Sequence, residues 1–410
     1  MATRLVTLIL CASAIVLGCS RSGGVVTVWT DSSEIVAYSE VFNATRSDIK
    51  VVVRHRSDLV ASLRSAAAPP DLIIGSYLAT STVMSQMSAT DQLISRSALS
   101  REDFYPAFLA LGKWNDRQAL LPVSFDLPMI VSLSDGVSNR TTEFIVSADE
   151  LRDAAADFNV TSGNRFTHVG FSPRWDGRFL AFFVQMSGAG FREGADGTPE
   201  WDHDRLIDAT DRLSDWIVEA NRSRALDAAF SERYLYDPLR VLLDRGRIAF
   251  VYKTASEYFE QNDLQRRTTR FSWPAENRIP VLDSVKMAGI PDRAANRPGA
   301  EQFVVWLLNA DVQKNLLERA RERRMRSFGI AGGFSALIQL NEDWFPNFYP
   351  ELLGMMPQEP ELRFPQRLPR NWSAIVDEVV IPWVDDMISA RNGAGSFDER
   401  LKTWLLRHGE

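Results

Sequence analysis

Ten residues of this 410-residue sequence carry the side chains that could hold a polyhydroxylated ligand: Trp29, Asp31, Ser76, Tyr77, Phe125, Asp126, Trp175, Asp176, Tyr252 and Trp273. Flat rings stack on the C–H faces of a sugar, and carboxylates and hydroxyls exchange hydrogen bonds with its hydroxyl groups. Position selects them as much as type. Most follow a segment that reads as a β-strand, and in open α/β sheets ligands sit outside the carboxyl ends of the strands. Each also has a plainer reading. Trp29 ends a strand and could be a core residue, whereas Asp31, Asp126 and Asp176 could be only helix or turn caps. Arg174 and Arg178 flank Trp175 and would suit a phosphate or carboxylate, or else be surface charges. Trp344 and Trp372 lie in a proline-rich tail and could pack or line a cleft.

The elements that must position these residues alternate between strand and helix. Val25–Trp29, Val51–Val53 and Leu72–Ile74 are short β-branched runs. Between them lie helical patterns, one starting at Asp31-x-x-Glu34 with Ile35, Tyr38 and Phe42 inward, the other opening at Ser57. Strand, helix, strand, helix, strand in about fifty residues implies a parallel sheet covered by helices. Ala119–Val123 and Met129–Leu133 read as strands interrupted at Ser124–Pro128. Ser147-x-x-Glu150 is a capping box. His168–Ser172, Ile248–Tyr252 and Val285–Ile290 read as further strands, with helices at Asp176–Met186 and Trp201–Glu219. From Arg297 onward the pattern is mainly helical.

Composition narrows the class. The net charge of −7 and an acidic isoelectric point argue against nucleic acid as a partner. Arg319, Arg321, Arg323, Arg324 and Arg326 read as the solvated face and end of a helix. There is no Gly-x-Ser-x-Gly, His-Glu-x-x-His or phosphate loop. Gly188-Ala189-Gly190 starts like a dinucleotide fingerprint but lacks its last glycine. No metal spacing links the four histidines, and no pair of carboxylates is singled out for glycosidase chemistry. No catalytic residue, cofactor or metal is assigned, and the chain is expected not to be an enzyme.

The only two cysteines are Cys11 and Cys19. Arg4 followed by a short apolar run is a secretory signal pattern, too short to span a bilayer. Val16-Leu17-Gly18-Cys19 resembles the lipobox of bacterial lipoproteins. The resemblance implies a signal peptide over 1–18, acylation of Cys19, and a lipidated tether over 19–24. It places the body on the periplasmic side of the cell envelope, anchored to membrane, with no thiol left free.

Further motifs resemble the extracellular solute-binding proteins of ABC importers, in the family 1 group that includes maltose-binding protein. They are Val28-Trp29-Thr30, Ala68-Pro69-Pro70-Asp71-Leu72-Ile73, Ala119–Asp126, Ser147–Leu151, Leu243–Phe250 and Ala300–Asn309. Their order carries the resemblance, which is weakest beyond Phe328. It implies a two-lobed α/β periplasmic-binding-protein fold of type II, each lobe a β-sheet flanked by helices, with the ligand cleft between lobes. Lobe one would hold 25–128 and 283–328, and lobe two 129–282 and 333–410. The implied protein is a monomer that captures a sugar or polyol by hinge closure and hands it to membrane permease subunits. A glycerol-phosphate-like anion is the alternative ligand. A surface lipoprotein for adhesion or sensing is the alternative role.

Overall fold

A computed structural model describes residues 24–95, 99–134, 144–389 and 395–408. The signal run, Cys11, Cys19 and the tether up to residue 23 lie outside the described residues. Among those described, no helix is long and apolar enough to cross a membrane.

Among the described residues, ten strands form two main sheets. They are β1 (Gly24–Thr30), β2 (Ile49–His55), β3 (Leu72–Gly75), β4 (Leu120–Phe125), β5 (Pro128–Leu133), β6 (Ile145–Val146), β7 (Val251–Thr254), β8 (Thr269–Pro274), β9 (Lys286–Gly289) and β10 (Phe334–Ser335). The first sheet has the order β10-β4-β9-β3-β1-β2 and the second β7-β5-β8-β6. The expected parallel arrangement holds for β1 with β2 and β3. Beyond β3 the sheet turns antiparallel through β9, β4 and β10, and β9 itself enters from the second lobe rather than through a covering helix.

Sequence pattern accounts for the local structure. Helix Glu34–Thr45 buries Ile35, Tyr38 and Phe42 on one face. Phe42 meets Phe303 and Trp306 edge-on at 5.1 and 5.2 Å, fastening this helix to Arg297–Leu307. Truncating such a fully buried ring costs about 3–5 kcal/mol. The Ser147–Glu150 capping box forms as expected. The second helix is capped by Asp58 rather than opened at Ser57.

The strand expected at His168–Ser172 is displaced. Arg165–His168 instead pairs with Val160–Ser162 in a hairpin outside both main sheets. The next residues bond to a loop: the Gly170 carbonyl accepts from the amides of Ala249 and Phe250. A Cβ on Gly170 would come within 2.2 Å of the Ala155 carbonyl oxygen, so only glycine permits this approach.

The chain passes between the lobes three times. It crosses at Asp126–Leu127 between β4 and β5, and returns through Ile279–Ser284 to β9. The tail crosses last, where Leu362–Arg363 pairs in parallel with Ile279–Pro280. The tail also departs from the expected division at its start. Phe334–Ser335 is the edge strand of the first sheet, because Phe334 packs on Phe125 and Phe345. From Leu368 onward the tail joins the second core, where Trp372 packs on Phe191.

Candidate functional site

A cavity of about 460 Å³ is lined by two of these crossings, Pro280–Ser284 and the tail at Arg363. This is within the roughly 300–1,000 Å³ usual for small-molecule sites. Lobe one supplies Tyr77. Lobe two supplies Arg178, Phe182, Gln185, Phe191 and Tyr252. The returning crossing supplies Pro280–Ser284, and the tail supplies Arg363–Gln366 and Trp372.

Local structure explains why these side chains point inward. Tyr77 follows β3 in the left-handed region at φ 58°, which turns its ring off the sheet line. Burial pushes its hydroxyl pKa up, and Asp283 and Asp377 push the same way against a hydrogen bond from Ser373. Tyr252 sits in β7, its ring stacked on Phe182 at 5.4 Å. Trp372 packs on Phe191 at 4.9 Å. Val376 and Val380 line the cavity from a stretch of wide π-type turns, a helix irregularity frequent at functional sites.

The polar groups centre on Asp283. Its carboxylate accepts from the Trp372 indole N–H at 2.8 Å and more weakly from the Gln185 amide at 3.4 Å. Burial raises its pKa, opposed by those two donors and by Arg363. Arg363 donates to the carbonyls of Gln185 and Met186. Burial lowers its pKa, and Asp283 partly restores it. Arg178 stands at the edge, engaged by Asp176 at 2.7 Å and by Glu257. The cavity therefore offers flat rings, one carboxylate and one guanidinium. It carries no unopposed cluster of like charge.

Of the ten residues expected at the site, Tyr77 and Tyr252 line the cavity. The other eight do not. Trp29 is buried, with Arg56 over its face. Asp31 does not cap its helix. Its carboxylate accepts the Ser76 amide at 2.8 Å and so ties the end of β1 to the end of β3. Phe125 is in the first core against Tyr105 and Phe108. Asp126 is at the first crossing, accepting from the Leu127 amide and from the Ser256 amide and hydroxyl. Trp175 stacks on Phe230 and donates to Ser231, because helix Arg224–Tyr234 packs over it. Asp176 is the N-cap of helix Gly177–Met186. Trp273 is fully buried, since β8 has neighbours on both sides, and its N–H donates to the Met355 carbonyl. Asp283, Arg363, Gln185 and Phe182 are the residues that strand-end reasoning misses. The one signal for Trp372 is an aromatic residue in a proline-rich tail.

Among the described residues, no group of three or more His, Cys, Asp or Glu side chains could hold a metal ion.

No family model and no curated protein matches this chain. Solved structures do. The sugar-binding protein MalE from the phytopathogen Xanthomonas citri is 11% identical, covering 94% of this chain and 96% of its own, with a TM-score of 0.66. CpMnBP1 with mannotriose bound is 16% identical over 92% and 98%, with a TM-score of 0.65. Maltose-bound T. maritima MalE3 is 14% identical over 93% and 99%, with a TM-score of 0.64. The chain has the two-lobed α/β fold of the solute-binding proteins.

Proposed function

We propose that this protein captures a neutral sugar or related polyol in the cavity between its lobes, as the binding component of an ABC importer. The observation that carries this reading is the Asp283 carboxylate set among Tyr77, Phe182, Phe191, Tyr252 and Trp372 in one cavity. A sugar ring presents C–H faces to such rings and a pair of hydroxyls to such a carboxylate. Proteins of this fold have been solved with mannotriose and with maltose. Lobe closure about the three crossings would bury the ligand. Acylation of Cys19 would keep the protein at the membrane beside the permease subunits, on the periplasmic side, and the working unit would be a monomer.

The anionic alternative has less support. Arg174 is paired with Asp385, and Arg178 with Asp176 and Glu257. Neither keeps the free guanidinium fork that an anion needs, and Arg363 already donates through both terminal nitrogens to the Gln185 and Met186 carbonyls and faces Asp283.

A thermal-shift screen followed by titration calorimetry tests the reading, using maltose, mannobiose, tagatose, glycerol 3-phosphate and amino acids. A ligand at 100 times its dissociation constant stabilises the fold by about 2.7 kcal/mol. A shift with the sugars alone supports the proposal. A shift with glycerol 3-phosphate alone overturns it in favour of an anion.

A further inference from the structure

Beside the cavity, one carboxylate joins the first lobe, the second lobe and the tail. Glu193 belongs to the second lobe, in a short strand paired with Pro199–Glu200. Its side chain is 2% exposed. It accepts from both the amide and the hydroxyl of Ser81 in the first lobe, the hydroxyl at 2.6 Å and the amide at 3.0 Å. Its own backbone amide donates to the Arg367 carbonyl of the tail at 2.7 Å. The Arg367 guanidinium lies 3.8 Å from the same carboxylate and over the ring of Trp114 in the first lobe. The neighbours of these three attachment points line the cavity: Phe191, Tyr77 and Gln366.

We infer that Glu193 is the clasp of the cleft, a positioning residue that holds the lobe-one, lobe-two and tail walls together and biases the molecule toward its closed form before ligand arrives. The inference rests on the hinge-closure reading of the function but not on the identity of the ligand. A carboxylate out of water needs its donors, and every donor here comes from across the cleft or from the tail. Opening the lobes must break the Ser81 contacts together. The clasp acts on closure and leaves the rings and carboxylate of the cavity untouched. Its loss should therefore speed ligand release and not slow capture.

The test reads lobe separation without ligand. Spin labels go on Ser85→Cys and Ala195→Cys, both exposed and on opposite sides of the clasp, with Cys11 and Cys19 replaced by serine. Pulsed dipolar distances should lengthen when Glu193→Ala is added, with the short-distance population falling about tenfold. Ser81→Asp should lengthen them too, by setting two carboxylates against each other. Aspartate at the start of helix Ser81–Met84 is locally favourable, so that variant keeps the first lobe intact. Adding Glu193→Gln to Ser81→Asp should restore the short distance. Unchanged distances in both single variants overturn the inference, as does a lowered melting temperature with no change in distance. A sugar screen without a hit would count against the ligand reading and leave the distance result standing.

Discussion

The Asp283 carboxylate and the Trp372 indole N–H, 2.8 Å apart, tie the returning crossing to the C-terminal segment on the wall of the cavity. They lie 89 residues apart in the chain. One group thus fixes the orientation of a ring on the cavity wall and keeps an acceptor turned toward the cavity.

Asp283→Asn should separate these two roles. The amide oxygen can still accept from Trp372, so the melting temperature should move by only a degree or two. The negative charge that strengthens a bond to a ligand hydroxyl is lost. Hydrogen bonds to charged groups contribute about 1.5–3 kcal/mol, so affinity should fall about tenfold or more. Calorimetry with the best sugar from the screen measures it. Unchanged affinity would move the ligand away from Asp283.

Trp175→Ala should behave in the opposite way. The ring stacks on Phe230 at 5.8 Å and meets Phe171 edge-on at 5.9 Å, and its N–H is taken by Ser231. Removing it opens a hole between two cores, worth about 2–4 kcal/mol of stability. Chemical denaturation should show that loss while the sugar affinity stays within twofold. A large affinity loss with unchanged stability would return Trp175 to the binding surface.

This contrast marks what the sequence discloses. Tyr77 is legible because it follows a strand with a clear apolar pattern, and the strand-end rule needs nothing else; the same rule places Tyr252 at the end of Ile248–Tyr252, whereas its strand runs over Val251–Thr254. The alternation of Val25–Ile74 likewise specifies three parallel strands. Asp283 carries no such signal. It lies in an irregular stretch, and its meaning comes from Trp372 and Gln185, which are distant in sequence. Trp175 and Trp273 mislead for a related reason. An aromatic in a loop or at a strand end looks available until Phe230, Ser231 or Met355 covers it, and none of those contacts has a local signature. The tail was the weakest part of the sequence pattern and forms a wall of the cavity.

Cys19→Ala should leave the protein unacylated. The motif Val16-Leu17-Gly18-Cys19 precedes the folded body by a few residues, so the change should not touch stability. In detergent phase separation, the wild-type protein should enter the detergent and the variant the aqueous phase. One acyl chain anchors weakly and several anchor stably, so the partition should be nearly complete. A variant that stays with the detergent would show that something else holds the protein to the membrane.

The pH dependence of stability should reveal the strain at the first crossing. Asp126 is buried between the lobes, and that burial raises its pKa, against hydrogen bonds from Ser256, Leu127 and Thr254. An acid whose folded pKa is raised holds its proton more tightly when folded than when unfolded. In the range between the ordinary carboxylate value and the raised one, the folded state binds more protons, so stability falls as pH rises. Above the raised value the full penalty of a buried charge is present. Below the ordinary value it is absent. Asp126→Asn has no charge to bury, and its amide oxygen can still accept from Ser256. The difference in melting temperature, variant minus wild type, should therefore grow in favour of the variant from pH 4 to pH 8. Comparing the two proteins cancels the contributions of Asp227 and Asp283, whose pKa values burial also raises. A difference that is flat with pH would mean that the hydrogen bonds to Asp126 fully offset its burial. The crossing would then carry no electrostatic strain for lobe motion to relieve.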